Sequence, residues 1–216
     1  MKFFYLLLVL YLTSCTSDKI VKLPEIKRAS ITEVHDVSAA YLFYDETQPD
    51  NIELNRKNLI STTNWLVNVD KRLKLGQAIP KIIFLQDKKR NASIHKNDAA
   101  KNYYSCNDTS IKNLGFIEFT NVYYHMDQKA EDFIKQSSFD YILIDIPKDV
   151  DLNFVDSLLL DLKKFNNNSE ELNSQISHVL LNFDHSINFQ QYILVKSRLQ
   201  ELDNSKIQID NNEFIY

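Results

Sequence analysis

The sequence predicts an α/β (α+β) fold, a two-layer mixed β-sheet with helices packed on it, built around two related strand–helix–strand units. Three observations carry this. The 216-residue chain is 44% hydrophobic and 25% charged, ordinary globular values that permit a packed core without staples. Its second half alternates short apolar runs with segments of helical period, in the order strand, helix, strand, helix, strand. Finally, residues 66–86 laid on residues 180–200 without a gap match at Leu66/Leu180, Asn68/Asn182, Asp70/Asp184, Gln77/Gln191, Ile79/Ile193, Leu85/Leu199 and Gln86/Gln200.

Taken in order, Met1-Lys2 precedes an uncharged run from Phe3 to Leu12. Ten residues make about 15 Å of helix, half a bilayer core, so the run reads as an export signal over residues 1–14 and not as a permanent span. The following Leu12-Thr13-Ser14-Cys15 resembles the lipobox of bacterial lipoproteins, in which small residues precede a cysteine that is acylated and becomes the new N-terminus. The resemblance implies lipidation of Cys15, a membrane anchor, and a place in the bacterial cell envelope. The absence of aspartate at Thr16 and Ser17 implies the outer membrane. With Cys15 acylated, Cys106 has no disulfide partner, and stability must come from packing.

Residues 15–37 are polar and mixed around Pro24 and read as a tether. Ala40 to Tyr44 and Ile52 to Leu54 read as a hairpin, and Trp65 to Asp70 as the next strand. A helix is expected from about Gln77 through Lys88 with Pro80 in its first turn, where a missing N–H costs nothing. Residues 88–112 look like an exposed polar insertion, and 113–124 like a strand. These elements form a first unit over 38–125. A second unit, 126–216, holds a strand at 139–146, an amphipathic helix carrying Leu152, Val155, Leu159 and Leu162, and a strand at 178–183. A helix from Phe189 to Leu202 follows, and the chain closes as strand at 207–216.

The shared unit resembles the periplasmic domain of the ExbD/TolR family. The segment that carries the likeness is His178 to Tyr216, with Asn182-Phe183-Asp184-His185 at the strand exit and Phe189-Gln190-Gln191-Tyr192 opening the helix. Members of that family carry a membrane helix with an acidic residue, which Phe3 to Leu12 lacks, so the motor role does not transfer. What the resemblance implies is an envelope recognition module that pairs with partner proteins or with peptidoglycan.

The chemistry of the chain is sparse. Gly76 and Gly115 are its only glycines, which excludes glycine-rich phosphate loops and nucleophile elbows. His35, His95, His125, His178 and His185 show no metal-ligand spacing, and no cofactor is implied. Lys88-Lys89-Arg90 reads as a solvated face in an acidic chain of net charge −4, and nucleic acid is not expected as a partner.

Asn68 with Asp70, and Asn182 with Asp184, stand two apart at strand ends and form the candidate polar site. Either pair could hold a small ligand, but each aspartate also suits the free N–H groups of a turn, the preferred reading. The expectation is therefore a lipid-anchored, non-enzymatic module that binds an envelope protein or peptidoglycan. The alternative is an envelope hydrolase with a motif-less carboxylate/histidine site in loops, around Asp184-His185 or within the 88–112 insertion. The terminal Phe214-Ile215-Tyr216, if at a sheet edge, could also accept a partner strand.

Overall fold

The computed structural model describes residues 19–91, 97–168, 177–202 and 207–216. The signal at 1–14 and Cys15 lie outside the described residues, as does His95. The elements are β1 (Glu25–Ile26), β2 (Val37–Tyr44), β3 (Ile52–Asn55), β4 (Asn64–Val69), α1 (Leu75–Arg90), β5 (Asn102–Asp108), β6 (Asn113–Glu118) and β7 (Tyr123–His125). They continue as α2 (Ala130–Gln136), β8 (Tyr141–Ile146), α3 (Leu152–Asn168), β9 (Ser177–Phe183), α4 (Phe189–Leu199) and β10 (Ile207–Ile215). The α/β class is as expected, with the strands shared between two sheets.

The first sheet is mixed and runs β3-β2-β4-β5-β6, with β1 beside the far end of β5. The second is all parallel, ordered β7-β10-β9-β8. One core joins them. Leu42, Val67, Val69 and Tyr104 from the first sheet, Ile79 and Ile82 from α1, and Val179, Leu181, Phe183 and Tyr192 from the second unit belong to a single buried cluster. The opposite face of the second sheet carries a smaller cluster of Leu180 and Phe214 under Ala130, Phe133 and Ile134 of α2.

The sequence repeat is realised as an approximate twofold relation. Lys74 and Asn188 form an antiparallel bridge. Around it the Leu75 N–H donates to the Ile187 carbonyl (2.9 Å) and the Phe189 N–H to the Leu73 carbonyl (2.7 Å). The Gly76 N–H donates to the His185 carbonyl (2.9 Å) and the Gln190 N–H to the Lys71 carbonyl (3.2 Å). Each bond becomes its mate on shifting both partners by 114 residues, the offset of the sequence match. The matched glutamines share one task, since Gln77 and Gln191 each accept the N–H of the residue before their helix, at 2.8 and 2.9 Å.

Four expectations are corrected. Residues 19–36 are not a free tether: Lys19 bridges Asp45 and Glu53, the Lys22 N–H donates to Asp70, and Glu25–Ile26 pairs with β5. The expected insertion at 88–112 contains a central strand, β5, which its polar composition (Asn, Ser, Cys, Asp) concealed. Asn102 and Asp108 find partners, Asn102 Oδ1 accepting from Lys89 Nζ (2.9 Å) and Asp108 Oδ1 from the Ser110 N–H (2.8 Å), whereas the buried Ser105 hydroxyl has none among the described residues.

Pro80 lies inside α1, beyond the first turn, because the helix begins at Leu75. The terminal strand is not an edge either, since β10 lies between β7 and β9 and cannot accept a partner strand.

Scarce glycine leaves a mark on the backbone. Left-handed φ values fall on Arg28 (57°), Asp36 (49°), Asn51 (53°) and Lys112 (53°). Asn and Asp tolerate this conformation, whereas Arg28 and Lys112 carry strain that glycine would not. Gly115 is needed for a different reason: a Cβ there would stand 2.4 Å from the Ala29 Cβ.

Candidate functional site

Neither expected polar pair forms a site. Asp70 is fully buried, with the Arg72 guanidinium donating to both of its oxygens at 2.8 Å and the Arg72 and Lys22 N–H groups adding two more bonds. Burial pushes its carboxyl up, but these donors outweigh burial and hold it below the usual carboxylate range. Asp184 repeats the turn with Ser186, whose hydroxyl and N–H donate at 2.6 and 2.7 Å and lower its pKa. His185 Nδ1 stands 2.8 Å from the Tyr216 carbonyl and 3.8 Å from Asp184 Oδ1, so its contact is with backbone and not with the carboxylate. Both aspartates serve the turns that launch α1 and α4.

The asparagines diverge. Asn68 and Asn182 occupy equivalent places, each opposite a residue of the preceding parallel strand, Tyr41 and Asp145 respectively. Asn68 donates to the Ala40 carbonyl (3.0 Å) and lines an apolar groove of about 360 Å³ with Val21, Leu23, Tyr41 and Phe43. Asn182, only 8% exposed, donates to Asp145 Oδ1 (2.7 Å) at the floor of an open groove of about 570 Å³.

This second groove lies where ligands collect in parallel sheets, at the carboxyl ends of the strands. Asp145 and Asn182 are the penultimate residues of β8 and β9, and Ile215-Tyr216 ends β10. The turn after β7 and the start of α2 add Asp127, Gln128 and Glu131. Burial, together with the Asp184 and Asp145 carboxylates, pushes the Tyr216 hydroxyl up and keeps it a neutral donor. Lys129 also lines it, so the groove offers three carboxylates, two amides, one phenol and one ammonium, an excess of negative charge that suits a ligand bearing positive charge or N–H groups. Of the expected site residues it contains Asn182 alone. Asp145 was missed in the sequence, where its place as the single charge in the apolar run of β8 was the signal that could have found it.

Other polar chemistry is internal. The Tyr104, Tyr124 and Tyr192 hydroxyls form a chain of hydrogen bonds (2.7 and 3.0 Å), and Tyr192 donates to fully buried Glu213 (2.8 Å), which also pairs with Lys196. Burial drives all three phenols well above their ordinary range. Burial likewise pushes the Cys106 thiol up, away from reactivity. Lys89 of the basic triplet is not on a solvated face. It turns inward over the Trp65 ring at 5.0 Å, while Arg90 lies 4.5 Å over Tyr123. Among the described residues no three His, Cys, Asp or Glu converge as metal ligands, and no helix is long and apolar enough to cross a membrane.

No protein-family model matches the chain, no curated protein matches it, and no solved structure matches its fold.

Proposed function

We propose that the protein is a bacterial envelope lipoprotein, anchored through Cys15 in the outer membrane, whose α/β domain binds another envelope component without catalysing a reaction. The observation that carries the binding role is the acidic groove at the carboxyl ends of β7 to β10, floored by the Asn182–Asp145 couple. Its chemistry suits a cationic or amide-bearing segment of an envelope protein or of peptidoglycan peptides. The use of Asp70 and Asp184 as turn caps supports a binding role over the hydrolase alternative. The ExbD/TolR likeness of residues 178–216, which include the β9–α4–β10 unit bordering the groove, points to the same kind of role.

The test is photo-crosslinking in intact cells from a probe at Asp127, with a probe at Leu160 on α3 as control. Capture of one discrete species from position 127, lost in Asp145→Lys, supports the reading. Equal capture from both positions, or capture indifferent to Asp145→Lys, refutes it. Labelled palmitate that enters Cys15→Ala as well as the unaltered protein refutes the anchor.

A further inference from the structure

We infer that the outer face of the first sheet, around Tyr41 and Phe43, is a bilayer-docking surface. The inference rests on the proposed anchor at Cys15.

Little chain separates the anchor from the domain. The fold holds the chain from Lys19 onward, where the ammonium bridges Asp45 (2.7 Å) and Glu53. Four residue steps separate Cys15 from Lys19, a reach of about 14 Å at full extension. A lipid on Cys15 thus confines Lys19 to the neighbourhood of the headgroups, and some surface beside it must face the membrane.

The surface beside Lys19 has matching chemistry. Val37, Ala39, Tyr41 and Phe43 alternate along β2, so they share one face, which β4 extends with Leu66. Tyr41 and Phe43 stack 5.8 Å apart at 16°, and Val21 and Leu23 line the same groove, with Asn55 and Asn68 at its polar side. Val37, at the start of the same face of β2, is 43% exposed, and Ile20, beside Val21 in the chain, is 74% exposed. Tyrosine and phenylalanine with aliphatic neighbours are the side chains that settle at a membrane–water interface.

Charge favours the same occupant. Of the cations in residues 19–28, Lys19 is taken up by Asp45 and Glu53, which leaves Lys22, Lys27 and Arg28 against one carboxylate, Glu25, itself paired with Lys71, in a chain of net charge −4. Lys22, Lys27 and Arg28 are exposed. Anionic headgroups attract such residues, while the acidic groove of the second sheet would be repelled by the same surface.

The test uses the full-length protein purified from membranes and reconstituted in phosphatidylethanolamine/phosphatidylglycerol vesicles. Fluorophores are attached in Ile20→Cys, Val37→Cys and Leu160→Cys, and are quenched with headgroup-labelled lipid. Buried Cys106 stays unlabelled. Val37 is decisive, because β2 spans eight residues and its far end lies beyond what tethering alone brings to the lipid.

Quenching at positions 20 and 37 several-fold above position 160 is the expected result. Quenching at 20 alone, or equally at all three, overturns the docking surface. A blue-shifted probe at 37 in vesicle-free protein shows the protein's own acyl chain on this face and overturns it too. Palmitate content is measured on the same sample: its absence overturns the anchor together with the surface, whereas its presence with unquenched Val37 overturns the surface alone.

Discussion

Lys89 offers a sharp test of the packing. It is 9% exposed, and its ammonium donates to the Thr63 carbonyl (3.3 Å), the Lys101 carbonyl (3.0 Å) and Asn102 Oδ1 (2.9 Å), all neutral acceptors. Burial pulls its pKa from 10.5 down to about 8. At roughly 1.4 kcal/mol per pKa unit, that gap corresponds to about 3 kcal/mol.

The sign follows from proton counting. Below the folded value both states hold the proton, and burying the charge costs the native state in full. Between about 8 and 10.5 the unfolded chain binds the proton and the native chain does not, so stability rises with pH and levels off above the unfolded value. Lys89→Met keeps the stem but removes the titration, and the acceptors it orphans cost the same at every pH. Urea unfolding of both proteins near pH 7 and near pH 10 should show the unaltered protein gaining up to about 3 kcal/mol relative to the variant. Parallel pH profiles would mean that the charge is solvated and the reasoning wrong.

Other substitutions probe separate parts of the structure. Gly115→Ala should cost about 1–3 kcal/mol in urea unfolding and be largely rescued by Ala29→Gly, since the two Cβ atoms would meet at 2.4 Å. Lys112→Gly, at a left-handed φ of 53°, should raise stability by about 1 kcal/mol, read as a higher melting temperature. Asp70→Ala should destabilise by about 2–4 kcal/mol and Asp184→Ala by only about 1, because the first strands a buried turn against Arg72 and the second loosens a half-exposed one. Tyr192→Phe leaves Glu213 without one donor and should cost about 1–3 kcal/mol in thermal unfolding, with strong non-additivity toward Tyr124→Phe.

The alternation of strand and helix in the second half was legible because β8 and β9 are short unbroken apolar runs while α3 carries its apolar residues at helical spacing. So was the equivalence of residues 66–86 and 180–200, because Asp70/Asp184 and Gln77/Gln191 perform identical turn and cap tasks. β5 was not legible. Its burial depends on Asn102, Ser105 and Asp108 entering a sheet interior, and composition reads such residues as exposed. β1 was hidden similarly, since two residues have no period and their pairing with Asn107–Asp108 is purely tertiary. The groove was half legible: Asn182 stood out by repetition, whereas Asp127 and Glu131 reach it only through the turn into α2.

The reciprocal bonds around Lys74 and Asn188 have a consequence for assembly. Two separate modules meeting this way would associate only as their concentration allowed, and each would have to present the same surface as its twin. Joined in one chain, they meet at an effective concentration fixed by the connecting segments, so dilution does not part them. Identity is no longer required of them either. One half can therefore keep an aromatic face and the other a carboxylate-lined one at the same structural position, Tyr41 beside Asn68 and Asp145 beside Asn182, which two identical subunits could not do.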